Sequence, residues 1–179
     1  VVSETDGSVL GSARNTFRGL KVLAERALAQ VRDDRLLHRA LDAESNSLAI
    51  LVQHVGGNLL SRWTDFLSAD GEKPTRDRDR EFIENTDLGR SELLELWERG
   101  WSALFSALDS LGPEDLLRTV FIRGEAHLVV QALHRSLSHT AYHVGQMVFL
   151  AKHLETGRFT SLSIPRGGSR DAGPRANKT

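Results

Sequence analysis

Two of the seven histidines in this sequence are spaced to work on one ion. His139 and His143 lie four residues apart in a long segment of helical apolar pattern. On a helix, residues at that spacing stack one turn apart, with Cβ atoms about 5–6 Å from each other. Two imidazoles so placed can share a divalent ion, with zinc–nitrogen bonds of about 2.0–2.1 Å. A helical wheel puts both at the edge of the apolar arc, on the side of Leu128, Ala132 and Leu150. Neutral imidazoles facing packed protein need hydrogen-bond partners. Two protonated ones would repel and be poorly solvated. A metal ion meets both demands. The third ligand has to come from another helix, and His54 is the best candidate. Its side of an upstream helix carries Ser47, His54, Asn58, Ser61 and Asp65, a polar stripe beside an apolar arc that suggests a lined cleft. Three histidines with an open position would bind water or substrate, as a catalytic metal requires. A histidine pair at this spacing also arises by chance, so spacing alone leaves a structural reading open. The remaining histidines read as surface or capping residues, and the helix dipole alone accounts for His153 near a C-terminus.

Other side chains are candidates to orient a ligand or meet a substrate. Gln146 follows His143 by three and shares its face, Asn58 is one turn from His54, and Arg135 is one turn before His139. Arg123 precedes the last helix and could contact substrate, while Glu125 could cap that helix. Trp63 and Tyr142 read as packing or dimer-face residues. No acid is placed as a general base: Asp65 is about three turns from His54, roughly 16 Å along the axis. Glu44 is nearly as far the other way. Catalytic residues therefore stay unassigned. There is no Ser-His-Asp arrangement and no Gly-rich phosphate loop.

The sequence has no cysteine, which excludes disulfides, thiolate metal sites and cysteine nucleophiles. With 179 residues, 40% of them hydrophobic, it can bury one sizeable core. A formal net charge of -1 gives no reason to expect a nucleic-acid or membrane partner. No apolar run approaches the roughly 20 residues of a membrane span. The first residues do not read as a secretion signal, so a cytoplasmic protein is expected. The absence of an initiator Met hints at a few trimmed residues.

Four helices must position the histidines. They are expected over residues 9–31, 44–67, 91–111 and 126–154, with one extra turn near 36–41. Gly56 and Gly57 interrupt the second helix, where close helix packing is the favoured explanation. Ser91 is the expected N-cap of the third helix, and Gly112-Pro113 stops it. Residues 68–89 form a long polar connection, and its mixed charges from Arg76 to Arg80 read as a solvated loop. Residues 117–122 read as an extended loop or a short strand. The expected architecture is an all-α four-helix bundle with a long crossover loop over residues 1–160, followed by an extended or disordered tail over 161–179.

The segment from His54 to Trp63, with Ser138-His139-Thr140-Ala141-Tyr142-His143-Val144-Gly145-Gln146, resembles the DinB/YfiT-like superfamily. Ser61-Arg62-Trp63-Thr64-Asp65-Phe66, Asp70-Gly71-Glu72-Lys73-Pro74, Ile122-Arg123-Gly124-Glu125 and Ser163-Ile164-Pro165-Arg166-Gly167-Gly168 resemble an uncharacterised branch of it. The resemblance implies an up-down-down-up bundle, often a homodimer, with zinc or nickel on His54, His139 and His143. Thr75 stands where that branch commonly has Trp, which puts the packing of this loop in doubt.

Three functions are consistent with this reading. The first is a metal-dependent transferase acting on a small molecule with a low-molecular-weight thiol, since a thiolate is a soft ligand suited to a zinc-type site. The others are a metal-dependent hydrolase and a non-catalytic module in which the ion only ties helices together.

Overall fold

The computed structural model describes residues 8–170. Four helices carry the architecture: α1 (Val9–Leu28), α2 (Leu48–Trp63), α3 (Arg90–Ser110) and α4 (Val129–Leu154). Residues 1–7 and 171–179, the second part of the expected tail, lie outside the described part. Residues 161–170 contain no helix or strand.

Local chemistry sets the helix ends. Ser8 caps α1 by accepting the Gly11 N–H at 3.0 Å, and Ser47 caps α2 by accepting that of Ile50 at 3.1 Å. That cap starts α2 at Leu48 rather than near Glu44. The helix ends at Trp63, short of the expected Leu67, and Asp65 adopts a positive φ of 48° just beyond it. Helix α3 starts after Gly89 with no side-chain cap, so Ser91 lies inside it rather than capping it. The expected extra turn is a short 3-10 helix, Asp34–His38.

The principal departure from an all-helical chain is a hairpin between α3 and α4. Strands β1 (Thr119–Ile122) and β2 (Glu125–Leu128) pair antiparallel, with Thr119 opposite Leu128 and Ile122 opposite Glu125. Val120 and Ile122 are buried while Thr119 and Phe121 are exposed, the alternation of a half-buried strand. Arg123 (φ 56°) and Gly124 (φ 75°) form the two-residue turn between them, and such turns need positive φ at both positions. The hairpin delays α4 to Val129. Gln131, not Glu125, then accepts the Leu128 N–H at 2.8 Å.

Helix α2 packs mainly on α3, and α1 on α4. Fully buried Trp97, Trp101 and Phe17 fill the centre, and Phe17 meets Trp63 and Trp101 edge-on at 6.3 Å. The Trp63 Nε1–H donates to Ser136 Oγ at 3.2 Å and ties α2 to α4. His38, expected at the surface, is instead mostly covered. Its ring nitrogens lie 2.6 Å from Glu84 Oε1 and 2.9 Å from the Leu88 carbonyl, pinning the turn after α1 to the end of the long connection.

Gly56 and Gly100 mark the closest approach of α2 and α3. A Cβ on Gly56 would stand 2.8 Å from the Leu96 carbonyl oxygen, and one on Gly100 would press on the Gly56 backbone. Gly100→Ala should therefore destabilise the fold by about 1–3 kcal/mol in urea unfolding, the usual cost of overpacking. Gly145→Ala is the control, because a Cβ there meets nothing within 4 Å. It should stabilise α4 by about 0.5–1 kcal/mol. Equal midpoints for the two variants would refute this account of the crossing.

Candidate metal centre

His54 enters from the middle of α2, and His139 and His143 come from successive turns of α4. The three rings converge. Centroids are 5.1 Å apart for His54 and His139, 4.8 Å for His54 and His143, and 4.6 Å for His139 and His143. His54 Nε2 lies 3.1 Å from His139 Nε2, and one potential ligand nitrogen from each ring lies within 4.8 Å of the others. A tetrahedral ion with bonds of about 2.0–2.1 Å separates its ligand nitrogens by about 3.3 Å. The cluster therefore needs only small side-chain rotations to share a divalent ion.

Outer hydrogen bonds set which nitrogen of each ring is free. His54 Nδ1 is 2.9 Å from Glu81 Oε2. An ionised carboxylate only accepts, so the proton sits on Nδ1 and the Nε2 lone pair faces the other histidines. His143 Nδ1 is 2.8 Å from Gln146 Oε1 and is held in the same tautomer. Glu81 is itself fixed by Arg76, whose Nε and Nη2 each donate to one of its oxygens at 2.7 Å. Burial raises the Glu81 carboxyl, but hydrogen bonds from His54 and Arg76 outweigh it and hold the group below the usual carboxylate range.

Glu81 and Arg76 belong to the connection read from sequence as solvated, and the structure corrects that reading. The Arg76 side chain is 5% exposed and that of Glu81 11%. A short 3-10 helix, Asp79–Phe82, turns Glu81 inward and lays Phe82 against the His54 ring at 4.6 Å. Gly57 makes room for it, because a Cβ there would collide with the Glu81 carboxylate. Only one of the paired glycines thus serves helix packing.

The cluster is poorly suited to protonation. Burial, then the charges His143 and His54 would carry, lower His139 from 6.5 to about 3. Burial also lowers His143, against the pull of Gln146. Rings kept neutral with lone pairs turned toward one point suit a metal ion.

A cavity of about 400 Å³ opens beside the histidines. Asn58 is buried in its wall, and Arg123 and Arg135 also line it. Gln146 lies behind His143 rather than in the wall. Trp63 packs in the core while touching the cavity, whereas Tyr142 is 64% exposed and its ring lies 4.9 Å from that of His143. His127, His134 and His153 stay apart from the cluster. No fourth His, Cys, Asp or Glu joins it among the described residues.

A family model described as "Protein of unknown function (DUF1572)" matches residues 4–168. No curated protein and no solved structure matches the chain.

The histidines should make the metal-free protein acid-sensitive. Unfolded His139 takes a proton near pH 6.5, while the folded residue does so only near 3. Between these values the unfolded chain binds the extra proton, so the stability contribution is complete above about 6.5 and is lost as pH falls toward 3. Urea midpoints of metal-free protein should drop between pH 6.5 and 5, before most carboxylates titrate, and His139→Gln should flatten that drop. An unchanged slope in the variant would count against a neutral, half-buried His139.

Proposed function

The chain belongs to the DUF1572 family, and from its site we propose that it is a divalent-metal protein with zinc or nickel held by His54, His139 and His143. The carrying observation is that three imidazoles, two with an Nδ1 held by an outer hydrogen bond, meet beside an open cavity with no fourth protein ligand among the described residues. A structural ion is usually closed off by four protein ligands, whereas a reactive one keeps a position for substrate. This favours an enzyme over an ion that only ties helices together. Placement of the family within the DinB/YfiT-like superfamily is part of the proposal. It is supported by the resemblance around His54 and His139–Gln146 and by the four-helix architecture.

Within this reading the protein is a transferase using a low-molecular-weight thiol. A zinc-class ion, when bound, supplies Lewis acidity that lowers a thiol's pKa and favours the nucleophilic thiolate. The chain supplies the rest. Glu81 keeps the proton on His54 Nδ1, and Gln146 keeps it on His143 Nδ1. Arg76 holds Glu81 ionised, and Trp63, Phe82 and Ile122 give the cavity apolar wall. Among the described residues no carboxylate lines the cavity to act as a general base on water, which favours thiol transfer over hydrolysis.

Purified protein should carry about one zinc or nickel ion per chain by elemental analysis. His143→Ala should abolish stoichiometric binding with helix content unchanged by circular dichroism. Unchanged metal content in that variant, or wild-type protein that neither holds nor is stabilised by zinc or nickel, would refute the metal assignment. Glu81→Gln should retain the fold and weaken metal affinity about 10–100-fold, the usual effect of removing an orienting partner. Cobalt-substituted protein should change its visible spectrum with 2-mercaptoethanol and not with ethylene glycol. Identical responses would remove the thiol reading and leave metal binding intact.

A further inference from the structure

The charged side chains lining the cavity are all basic. Arg62, Arg76, Arg78, Arg123 and Arg135 line it, and among the described residues no aspartate or glutamate does. The acids that pair with this group sit behind it. Glu72 meets Arg62 at 2.9 Å, Arg123 at 3.1 Å and Arg76 at 3.4 Å, and Glu81 is taken by Arg76 and His54. One Glu72 carboxylate is thus shared by three guanidiniums, and the buried Nη1 of Arg62 has no hydrogen-bond partner among the described residues. Asp70 offers little compensation, because its carboxylate already accepts the N–H groups of Glu72, Arg123 and Gly124.

The arginines form two layers. Arg62 and Arg76 are largely covered and committed to Glu72 and Glu81. Arg78, Arg123 and Arg135 are exposed. Arg78 lies over the Phe82 ring at 4.8 Å and its guanidinium meets a single carboxylate among the described residues, Asp79 at 3.9 Å. Among the same residues Arg135 meets a ring nitrogen of His127 at 3.4 Å and no carboxylate. Arg123 engages Glu72 through Nε, and its outer amino groups have no ion-pair partner among the described residues. Arg123 also holds a positive φ at a turn position that glycine would occupy without strain. Asp70 stabilises that backbone by accepting from Arg123 N at 2.9 Å and Gly124 N at 2.7 Å. The turn thus fixes the Arg123 backbone at the edge of the cavity that its side chain lines.

The same wall carries the apolar side chains of Trp63, Phe66, Phe121 and Ile122 beside the arginines and the histidines. About 400 Å³ is room for a small molecule rather than a polymer. We infer that the cavity binds a small organic anion, its carboxylate or phosphate held by Arg123 and Arg135, its apolar body against Trp63 and Phe121, and its far end toward the histidines. The planar guanidinium fork matches the oxygens of either head group. This assignment rests on the cavity being the substrate site of the proposed metal centre, and it names the substrate class.

The test is calorimetric titration of the full chain with 4-phenylbutyrate, 4-phenylbutyl phosphate and neutral 4-phenylbutan-1-ol, with zinc bound and after chelation. At least one anion should bind about tenfold or more tightly than the alcohol, as expected for charge-assisted hydrogen bonds. The preference should persist after chelation and collapse in the double variant Arg123→Gln/Arg135→Gln, whose metal stoichiometry and circular dichroism should match wild type. Both side chains are exposed, so loss of folding is not expected, and each single variant should lose part of the preference. The identity of the better anion assigns the head group. The inference is overturned if acid and alcohol bind alike, if no anion binds at millimolar concentration, or if the double variant keeps the preference. It is also overturned if the preference vanishes on chelation, because the anion would then be held by the ion. Failure of the metal assignment reads out separately, as absent metal with the anion preference retained.

Discussion

Arg76, Glu81 and His54 form one buried chain of charge-assisted hydrogen bonds, and the rest of the site is arranged around it. A buried carboxylate is costly unless it is paired and fully hydrogen-bonded. Here Arg76 takes both oxygens, and His54 adds a further bond to one of them. Satisfying Glu81 fixes the His54 tautomer. It also fastens the middle of the long connection against α2, because Arg76 and Glu81 both come from that connection. The position of Phe82 and the collision-free surface of Gly57 follow from the same requirement. The connection is therefore part of the site rather than a solvated link between helices.

A second clamp works on the same logic. Asp70 gathers three backbone N–H groups, two of them from the hairpin turn, and Gly71 donates its N–H to the Phe121 carbonyl at 2.8 Å. Ser61, on the polar stripe of α2, donates to the Gly71 carbonyl and accepts from Lys73 N. Helix α2, the start of the connection and the hairpin are joined through polar contacts just where the cavity lies. The apolar core holds the helices, and these polar clamps hold the cavity wall.

What the sequence disclosed follows from which elements are periodic. His139 and His143 were legible because helical spacing converts a sequence offset into a distance. His54 was legible because a polar stripe beside an apolar arc signals a lined cleft. Glu81 was not: it lies 27 residues from its partner in a stretch without periodicity, and alternating charges there read equally well as solvent-facing. The hairpin was partly visible in Val120, Phe121 and Ile122, but four-residue strands give little alternation to count, and Arg in the first turn position hid the usual Asn-Gly or Asp-Gly signature. The paired glycines show the limit of reading residue type alone. Gly56 permits a helix crossing, and its neighbour makes space for a carboxylate from another part of the chain.

The two kinds of basic side chain in the cavity wall bear on its chemistry. Burial and mutual repulsion keep His139 and His143 neutral, so their lone pairs are available. The guanidiniums cannot lose their protons under any ordinary condition. An anionic ligand is therefore held by permanent charge, while these imidazoles remain ligands rather than acids. Acids are present nearby, but each is committed to arginine, histidine or backbone partners behind the wall. Such a site can orient an anion and activate a soft nucleophile with its own residues already in the required protonation states, and no carboxylate in its wall is free to compete with the substrate for the arginines.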